Sequence, residues 1–234
     1  MMQLVVLAGG LGTRMKAITG DTPKCMVDVE GQPFLCRQFD NWERKGVGDI
    51  LICTSGDESS IIQEIEDHIF SNGCKEISTY YEKAPTGTLG ALYAARDYLN
   101  ERFLLTFADS YLTCDFAKVE KAFIQSDKPI LMTILKNKNN WVQSNVLYRA
   151  GHIQMYDKSL HGKLVEYIDY GLYGFSRDML NGKKGPADLS QFLSEKVFKS
   201  DDVASYVIPE KDRFYEVGSP EGYAETCEYF RGKK

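Results

Sequence analysis

The sequence predicts an α/β protein with a Rossmann-like, mixed but mainly parallel sheet flanked by helices. Short apolar runs at residues 4–8, 49–54 and 101–108 have the length and composition of buried strands. Segments with helical periodicity alternate with them, giving a β-α-β-α-β-α-β order up to residue 108. The first apolar run opens directly into a loop carrying Gly9, Gly10 and Gly12, and in open α/β sheets the chain beyond a strand's carboxyl end is where ligands bind.

Taken in order, residues 25–29 read as a short extended stretch and 31–33 as a turn. Residues 34–45 have helical spacing, with Phe34, Leu35, Phe39 and Trp42 on one side, charges elsewhere, and Gly46 as a C-cap. After the strand at 49–54, a turn at 55–57 caps a helix to residue 70, whose Ile61, Ile62, Ile65 and Ile69 form a core stripe. A strand at 76–82, a helix at 88–99 and the strand at 101–108 complete the first part. Beyond Asp109 the rhythm changes: helix 116–125, strand 129–136, a polar turn at 137–140, a hairpin around Gly151 at 146–156, and an aromatic strand at 167–175. A loop at 181–186 precedes a helix at 188–198 with Asp188 as a possible N-cap. A strand at 203–208, a strand end and turn at 215–220 and a closing helix at 219–229 finish the chain. No repeat or linker interrupts it, so a single domain over 1–234 is expected, in two halves, 1–115 and 116–234.

With 43% hydrophobic and 26% charged residues and a formal net charge of −5, the composition is that of a soluble globular protein and gives no support for general nucleic-acid binding. The N-terminal stretch has no signal-peptide pattern, and no apolar run reaches membrane-spanning length. Six scattered cysteines without a C-x-x-C pair predict reduced thiols and a cytoplasmic location. The three histidines fit neither a metal nor a triad pattern.

Glycines that allow close backbone approach, followed by Arg14 and by Pro23-Lys24, suggest a polyphosphate site. On glycine content alone the loop serves equally as a tight βα turn, since it matches neither G-x-x-x-x-G-K-[ST] nor G-x-G-x-x-G. Asp109, at the tip of an apolar strand, reads either as a cap or turn residue or as a carboxylate holding Mg²⁺ beside phosphates. The full string Leu7-Ala8-Gly9-Gly10, Gly12-Thr13-Arg14 and Pro23-Lys24 resembles the signature of the sugar-1-phosphate nucleotidyltransferases, and the resemblance extends over nearly the whole chain.

That resemblance implies the nucleotide-diphospho-sugar transferase fold, a nucleotide-binding half followed by a sugar-phosphate half, and Mg²⁺ as cofactor. It implies nucleotide contacts from Leu7, Ala8, Gly9, Gly10, Gly12 and Thr13, and from a base-reading loop with Glu82, Gly87 and Thr88. Asp109 and Glu216 are the implied metal ligands, Glu216 standing where aspartate is more frequent. Arg14, Lys24 and Lys158 are the implied catalytic cations, and Asp157, Asp169 and Gly171 the implied substrate-binding residues, with Asp169 in place of the usual asparagine. The implied reaction joins an NTP to a sugar 1-phosphate, releasing pyrophosphate, for cell-surface glycan precursors, with no nucleic-acid or membrane partner and a homodimer left open. A carboxylate at Glu82 accepts only, and guanine offers two adjacent donors, N1–H and the 2-amino group, so GTP is the expected nucleotide. The alternatives are a cytidylyl- or uridylyltransferase acting on another sugar phosphate or on a small phosphate such as phosphocholine, and a nucleotide sensor without turnover.

Overall fold

The computed structural model describes residues 1–10, 13–55, 76–82, 84–160, 162–199 and 201–233. Gly12 and the helix expected to run to residue 70 lie outside them. The main sheet is built from β1 (Leu4–Leu7), β2 (Asp49–Ser55), β3 (Glu76–Glu82), β4 (Arg102–Phe107), β6 (Ile130–Lys136), β9 (Tyr167–Ser176) and β10 (Val203–Ile208), in the order β10-β6-β9-β4-β1-β2-β3. The four strands β4-β1-β2-β3 are parallel, as is the β6–β10 pair, whereas β9 runs antiparallel to both β4 and β6. The sheet is therefore mixed and mainly parallel. A hairpin of β7 (Val146–Arg149) and β8 (His152–Tyr156) joins β9 through Val146 and Tyr167.

Side chains alternate across a strand, so each apolar run feeds both faces of the sheet. Leu4 and Val6 pack with Leu35, Phe39 and Trp42 of α2 (Phe34–Arg44) and with Phe116, Val119 and Phe123 of α4 (Phe116–Ser126). Val5 and Leu7 pack on the opposite face with Leu89 and Leu92 of α3 (Thr88–Ala94) and Leu189, Phe192 and Leu193 of α5 (Leu189–Lys199). A third cluster, with Val29, Phe34, Tyr111, Val217 and Phe230, lies under α6 (Pro220–Arg231). The Asp115 carboxylate accepts from the Ala117 and Lys118 N–H groups to cap α4, and Ser219 Oγ accepts from Gly222 N–H to cap α6. Among the described residues, no helix is long and apolar enough to cross a membrane.

Five local features depart from these expectations. Residues 24–26 form a 3₁₀ turn rather than an extended stretch, because the Met26 N–H closes back on Pro23 O at 2.8 Å. The helix expected to reach residue 99 ends at Ala94 and tightens into a 3₁₀ turn over Arg96–Tyr98. Residues 110–112 form an unforeseen strand, β5 (Ser110–Leu112), which pairs antiparallel with β11 (Phe214–Glu216) as a separate two-stranded ribbon. Finally, the interior side of α2 is not wholly apolar: Gln38 is 0% exposed and Asn41 4%. A four-residue helix, α1 (Lys16–Thr19), was also not anticipated.

Candidate active site

The site follows from strand register. Phe107, Leu7, Cys53 and Tyr80 stand side by side across β4, β1, β2 and β3. Two residues further along each segment come Asp109, Gly9, Ser55 and Glu82, and all four line one cavity of about 540 Å³. The Ala8 N–H still reaches Cys53 O at 2.8 Å and the Ala108 N–H reaches Leu7 O at 3.0 Å, so the row continues where the strands are formally ending. Ser55 Oγ donates to Gly9 O at 3.2 Å, and a Cβ on Gly9 would fall 2.6 Å from that hydroxyl. Glycine there keeps the loop against β2 and leaves its outer side open.

At the Asp109 end, Lys24 Nζ lies 2.6 Å from Asp109 Oδ2. The 3₁₀ turn after Pro23 is what directs this side chain inward, and a Cβ on Gly10 would sit 3.6 Å from Nζ. Glu216 comes to the same place from β11, because Glu216 is the register partner of Ser110. Its carboxylate accepts from the Gly218 N–H and from Ser219 Oγ. A Cβ on Gly218 would lie 2.7 Å from Glu216 Oε2 and 3.3 Å from Asp109 Oδ2, so the two carboxylates converge beside that glycine. A Cβ on Gly222 would lie 1.8 Å from Glu216 Oε1. Two glycines thus leave the space that Glu216 occupies. Two convergent carboxylates with only oxygen donors fit a hard divalent cation such as Mg²⁺, which takes one or two carboxylates and fills its remaining positions with water and phosphate.

At the other end Glu82 is 7% exposed and accepts a 2.5 Å hydrogen bond from Thr86 Oγ1 at Oε1. Burial, and then the Glu82 charge, push the Cys53 thiol up to about 12. This cavity thiol therefore stays protonated at neutral pH and is no nucleophile. The loop after Glu82 is braced on the start of α5. Ala187 O accepts from the Leu89 and Gly90 N–H groups, the Ala187 N–H donates to Thr86 O, and the Leu189 N–H donates to Thr88 Oγ1 at 2.8 Å. Thr88 Oγ1 in turn donates to Asp188 Oδ2 at 3.3 Å. Gly87 sits at φ +82°, and a Cβ there would meet Ala187 O at 2.6 Å. Thr88 thus lines the cavity while its hydroxyl is already engaged.

Leu7, Ala8, Gly9, Gly10, Lys24, Glu82, Gly87, Thr88 and Asp109 are brought around the one cavity. Arg14 is exposed on the 3₁₀ turn Thr13–Met15 and is not among the lining residues. Asp157 is exposed, with its carboxylate turned onto Ser159: the hydroxyl first, then the N–H, hold it below its ordinary range. Lys158 is also exposed, and its charge acts on both Asp169 and Asp188. Asp169 is half-buried and accepts from Tyr173 Oη (2.6 Å), Tyr156 Oη (2.9 Å) and the Gly171 N–H (3.1 Å). Burial pushes its carboxyl up against the pull of these donors, and burial with the Asp169 charge raises both tyrosines.

Sequence reasoning did not place Ser55 or Asp188 in the cavity. Ser55 becomes visible only when β1, β2 and β3 are aligned in register. Asp188 read as a helix cap, and it is one, accepting from the Gln191 N–H at 3.1 Å. It also faces the cavity. Burial, the largest influence on Asp188, raises its carboxyl, but Ser190, the Gln191 N–H and Lys158 together bring it below its ordinary range.

Residues 3–230 match the family model described as nucleotidyl transferase. The chain belongs to that family of nucleotidyltransferases. It is 27% identical over 232 residues to the D-glycero-alpha-D-manno-heptose 1-phosphate guanylyltransferase of Campylobacter jejuni, covering 95% of this chain and 97% of that one. The crystal structure of HddC from Yersinia pseudotuberculosis superimposes with a TM-score of 0.79 at 28% identity, covering 98% of this chain and 100% of the other, and HddC is also known complexed with GMP-PN. The inositol-1-phosphate CTP transferase of T. maritima shares the fold with a TM-score of 0.77 at 19% identity, over 99% of this chain and 96% of its own.

Proposed function

We propose that the chain is a single catalytic domain that transfers a guanylyl group from GTP to a sugar 1-phosphate, releasing pyrophosphate, for synthesis of cell-surface glycan precursors. The observation that carries this reading is the row Asp109–Gly9–Ser55–Glu82, with an acceptor carboxylate at one end and two convergent carboxylates with Lys24 at the other. That spacing suits a nucleotide lying across the strand ends with its base at Glu82 and its α-phosphate near Asp109. The similarity to a guanylyltransferase along almost its full length, and to a protein crystallised with GMP-PN, supports guanine.

In the proposed reaction a phosphate oxygen of the sugar 1-phosphate attacks the α-phosphorus. The new P–O bond forms as the bond to the β-phosphate breaks, and the electron pair leaves with pyrophosphate. The nucleophile is already an anion, so no covalent enzyme intermediate is needed, and catalysis rests on positioning and charge neutralisation. Leu7, Ala8, Gly9, Gly10, Gly12 and Thr13 shape the backbone around the nucleotide, and Arg14 at the loop exit meets the β/γ-phosphates. Lys24, beneath Gly10, neutralises the α-phosphate. Glu82 accepts from guanine, while Gly87 and Thr88 hold the loop that presents it. Lys158 meets the acceptor phosphate, and Asp157, Asp169 and Gly171 shape the sugar side. Asp109 and Glu216 would hold Mg²⁺, which when bound stabilises developing charge on phosphate oxygens.

Pyrophosphate release measured for each of the four NTPs against a panel of sugar 1-phosphates and phosphocholine tests the reading, with Asp109→Ala as control. Turnover confined to GTP and a sugar 1-phosphate is expected. A cytidylyl or uridylyl preference overturns the base assignment, and no release with any pair overturns the catalytic one.

A further inference from the structure

The helix α2 turns an unusual side towards the site. Its Gln38 and Asn41 are fully buried carboxamides on a helix whose other interior positions are mostly apolar. Gln38 Nε2 donates to Ser110 O at 2.7 Å and reaches Ala108 O at 3.5 Å. Asn41 Nδ2 donates to Leu112 O at 3.0 Å, and just past the helix Lys45 Nζ donates to Thr113 O at 2.9 Å and to Cys114 O. Arg44 Nη2 meets Tyr111 Oη at 2.9 Å. The positions 38, 41 and 44/45 recur at helical spacing, so one stripe of α2 grips successive groups along the segment 108–114.

That segment contains Asp109 and then β5, and β5 pairs with the strand that ends at Glu216. A ribbon of three residues per strand is marginal by itself, so the geometry of both carboxylates depends on what holds the ribbon from outside. Gln38 stands closest, reaching the carbonyls on either side of Asp109. Its orientation is forced, since turning the amide over would aim Oε1 at two carbonyl oxygens. The consequence is that Gln38 Oε1 is buried with no hydrogen-bond partner among the described residues. A buried, unsatisfied acceptor is a cost that a helix serving only to pack would avoid with leucine or methionine.

We infer that Gln38 is a positioning residue for the metal-binding carboxylates, acting through the Ala108 and Ser110 carbonyls to set the direction of Asp109. The inference rests on the proposed assignment of Asp109 and Glu216 as metal ligands. It is tested by Mn²⁺ binding, read from the electron paramagnetic resonance of free Mn²⁺, in the complex with whichever nucleoside imidotriphosphate binds the intact protein most tightly. Gln38→Met should weaken Mn²⁺ by about tenfold, as loss of an outer partner of a metal ligand does, with nucleotide affinity in the absence of metal unchanged. Gln38→Leu likewise offers no donor, and it should show the same loss if Gln38→Met does not fold. Phe39→Val, on the same helix but outside the stripe, should lower Tm without moving Mn²⁺ affinity. Unchanged Mn²⁺ affinity in a folded Gln38 variant overturns the inference, as does an equal loss in Phe39→Val. Absence of Mn²⁺ binding in the intact complex instead overturns the ligand assignment, and the role of Gln38 with it.

Discussion

Lys24 and Asp109, 85 residues apart in the chain, form a 2.6 Å ion pair with side chains only 17% and 28% exposed. The ammonium lies between Gly10 of the glycine loop and the carboxylate assigned to the metal. Lys24 therefore already balances Asp109 before any ligand arrives. Metal binding to the free protein must compete with that pair, whereas a nucleotide phosphate gives the lysine another partner. Lys24→Met should raise the affinity for Mn²⁺ alone while lowering turnover by about 10²–10³-fold, as removal of a positioned charge-stabilising donor does. Calorimetric titration with Mn²⁺, without nucleotide, checks the first part; equal affinity in both proteins would refute the competition.

Glu82 keeps one oxygen on the Thr86 hydroxyl and has the rest of its acceptor capacity for a base. Glu82→Gln replaces an acceptor-only group by one carrying its own donors, which face the guanine N1–H and 2-amino group unfavourably. The ratio of kcat/KM for GTP to that for the other NTPs should fall by about tenfold or more, corresponding to about 1.4 kcal/mol or more of discrimination. An unchanged ratio would remove Glu82 from base reading.

The space around Glu216 is defined by Gly222, where a Cβ would lie 1.8 Å from Oε1 and 2.4 Å from Cδ. Gly222→Ala should drive the carboxylate out of its place beside Gly218 and Asp109, even though alanine suits the first turn of α6. We expect activity at fixed Mg²⁺ to fall by about tenfold or more with helical circular dichroism retained. Partial rescue at high Mg²⁺ would identify the lesion as metal binding.

Thr88 Oγ1 accepts from the Leu189 N–H and donates to Asp188, so its hydroxyl ties the base loop to α5. Thr88→Val leaves that N–H without its partner, costing about 1–3 kcal/mol. Each kcal/mol corresponds to a Tm loss of about 2–4 °C in a chain of this size. A drop in Tm with little change in the KM for the NTP is the outcome of a bracing role. The reverse pattern would make Thr88 a direct nucleotide contact.

Burial raises the Asp169 carboxyl above its ordinary value of 3.8, against Tyr173, Tyr156, the Gly171 N–H and Lys158. The folded protein therefore binds this proton more tightly than the unfolded chain does. The associated stability is fully present below the unfolded value and is lost as pH rises through the folded one. Asp169→Asn does not titrate, so the Tm difference, variant minus intact protein, should increase as pH rises above the unfolded value. A pH-independent difference would show that Asp169 has the same affinity for protons in both states.

What the amino-acid order determines by itself is whatever local pattern and composition encode. The apolar runs that become β1, β2 and β4, the glycine loop after β1, the strand-end carboxylate Asp109 and the Asp188 cap of α5 could all be named from short windows. Periodicity and turn chemistry act over a few residues, so they survive without knowledge of the fold. The tertiary structure alone decided which of these windows meet. β5 and β11 are three residues each and exist as strands only because Ser110–Leu112 finds Phe214–Glu216. Helical spacing sets Gln38 and Asn41 beside Phe34 on the interior side of α2, but only the fold brings the Ser110 and Leu112 carbonyls against them. Ser55 reaches the cavity through a register row, Asp188 reaches it because α5 braces the loop before α3, and Lys24 turns inward on a 3₁₀ turn. Each of these depends on contacts between segments far apart in the chain, where hydrogen bonding and close packing, not local propensity, set the geometry.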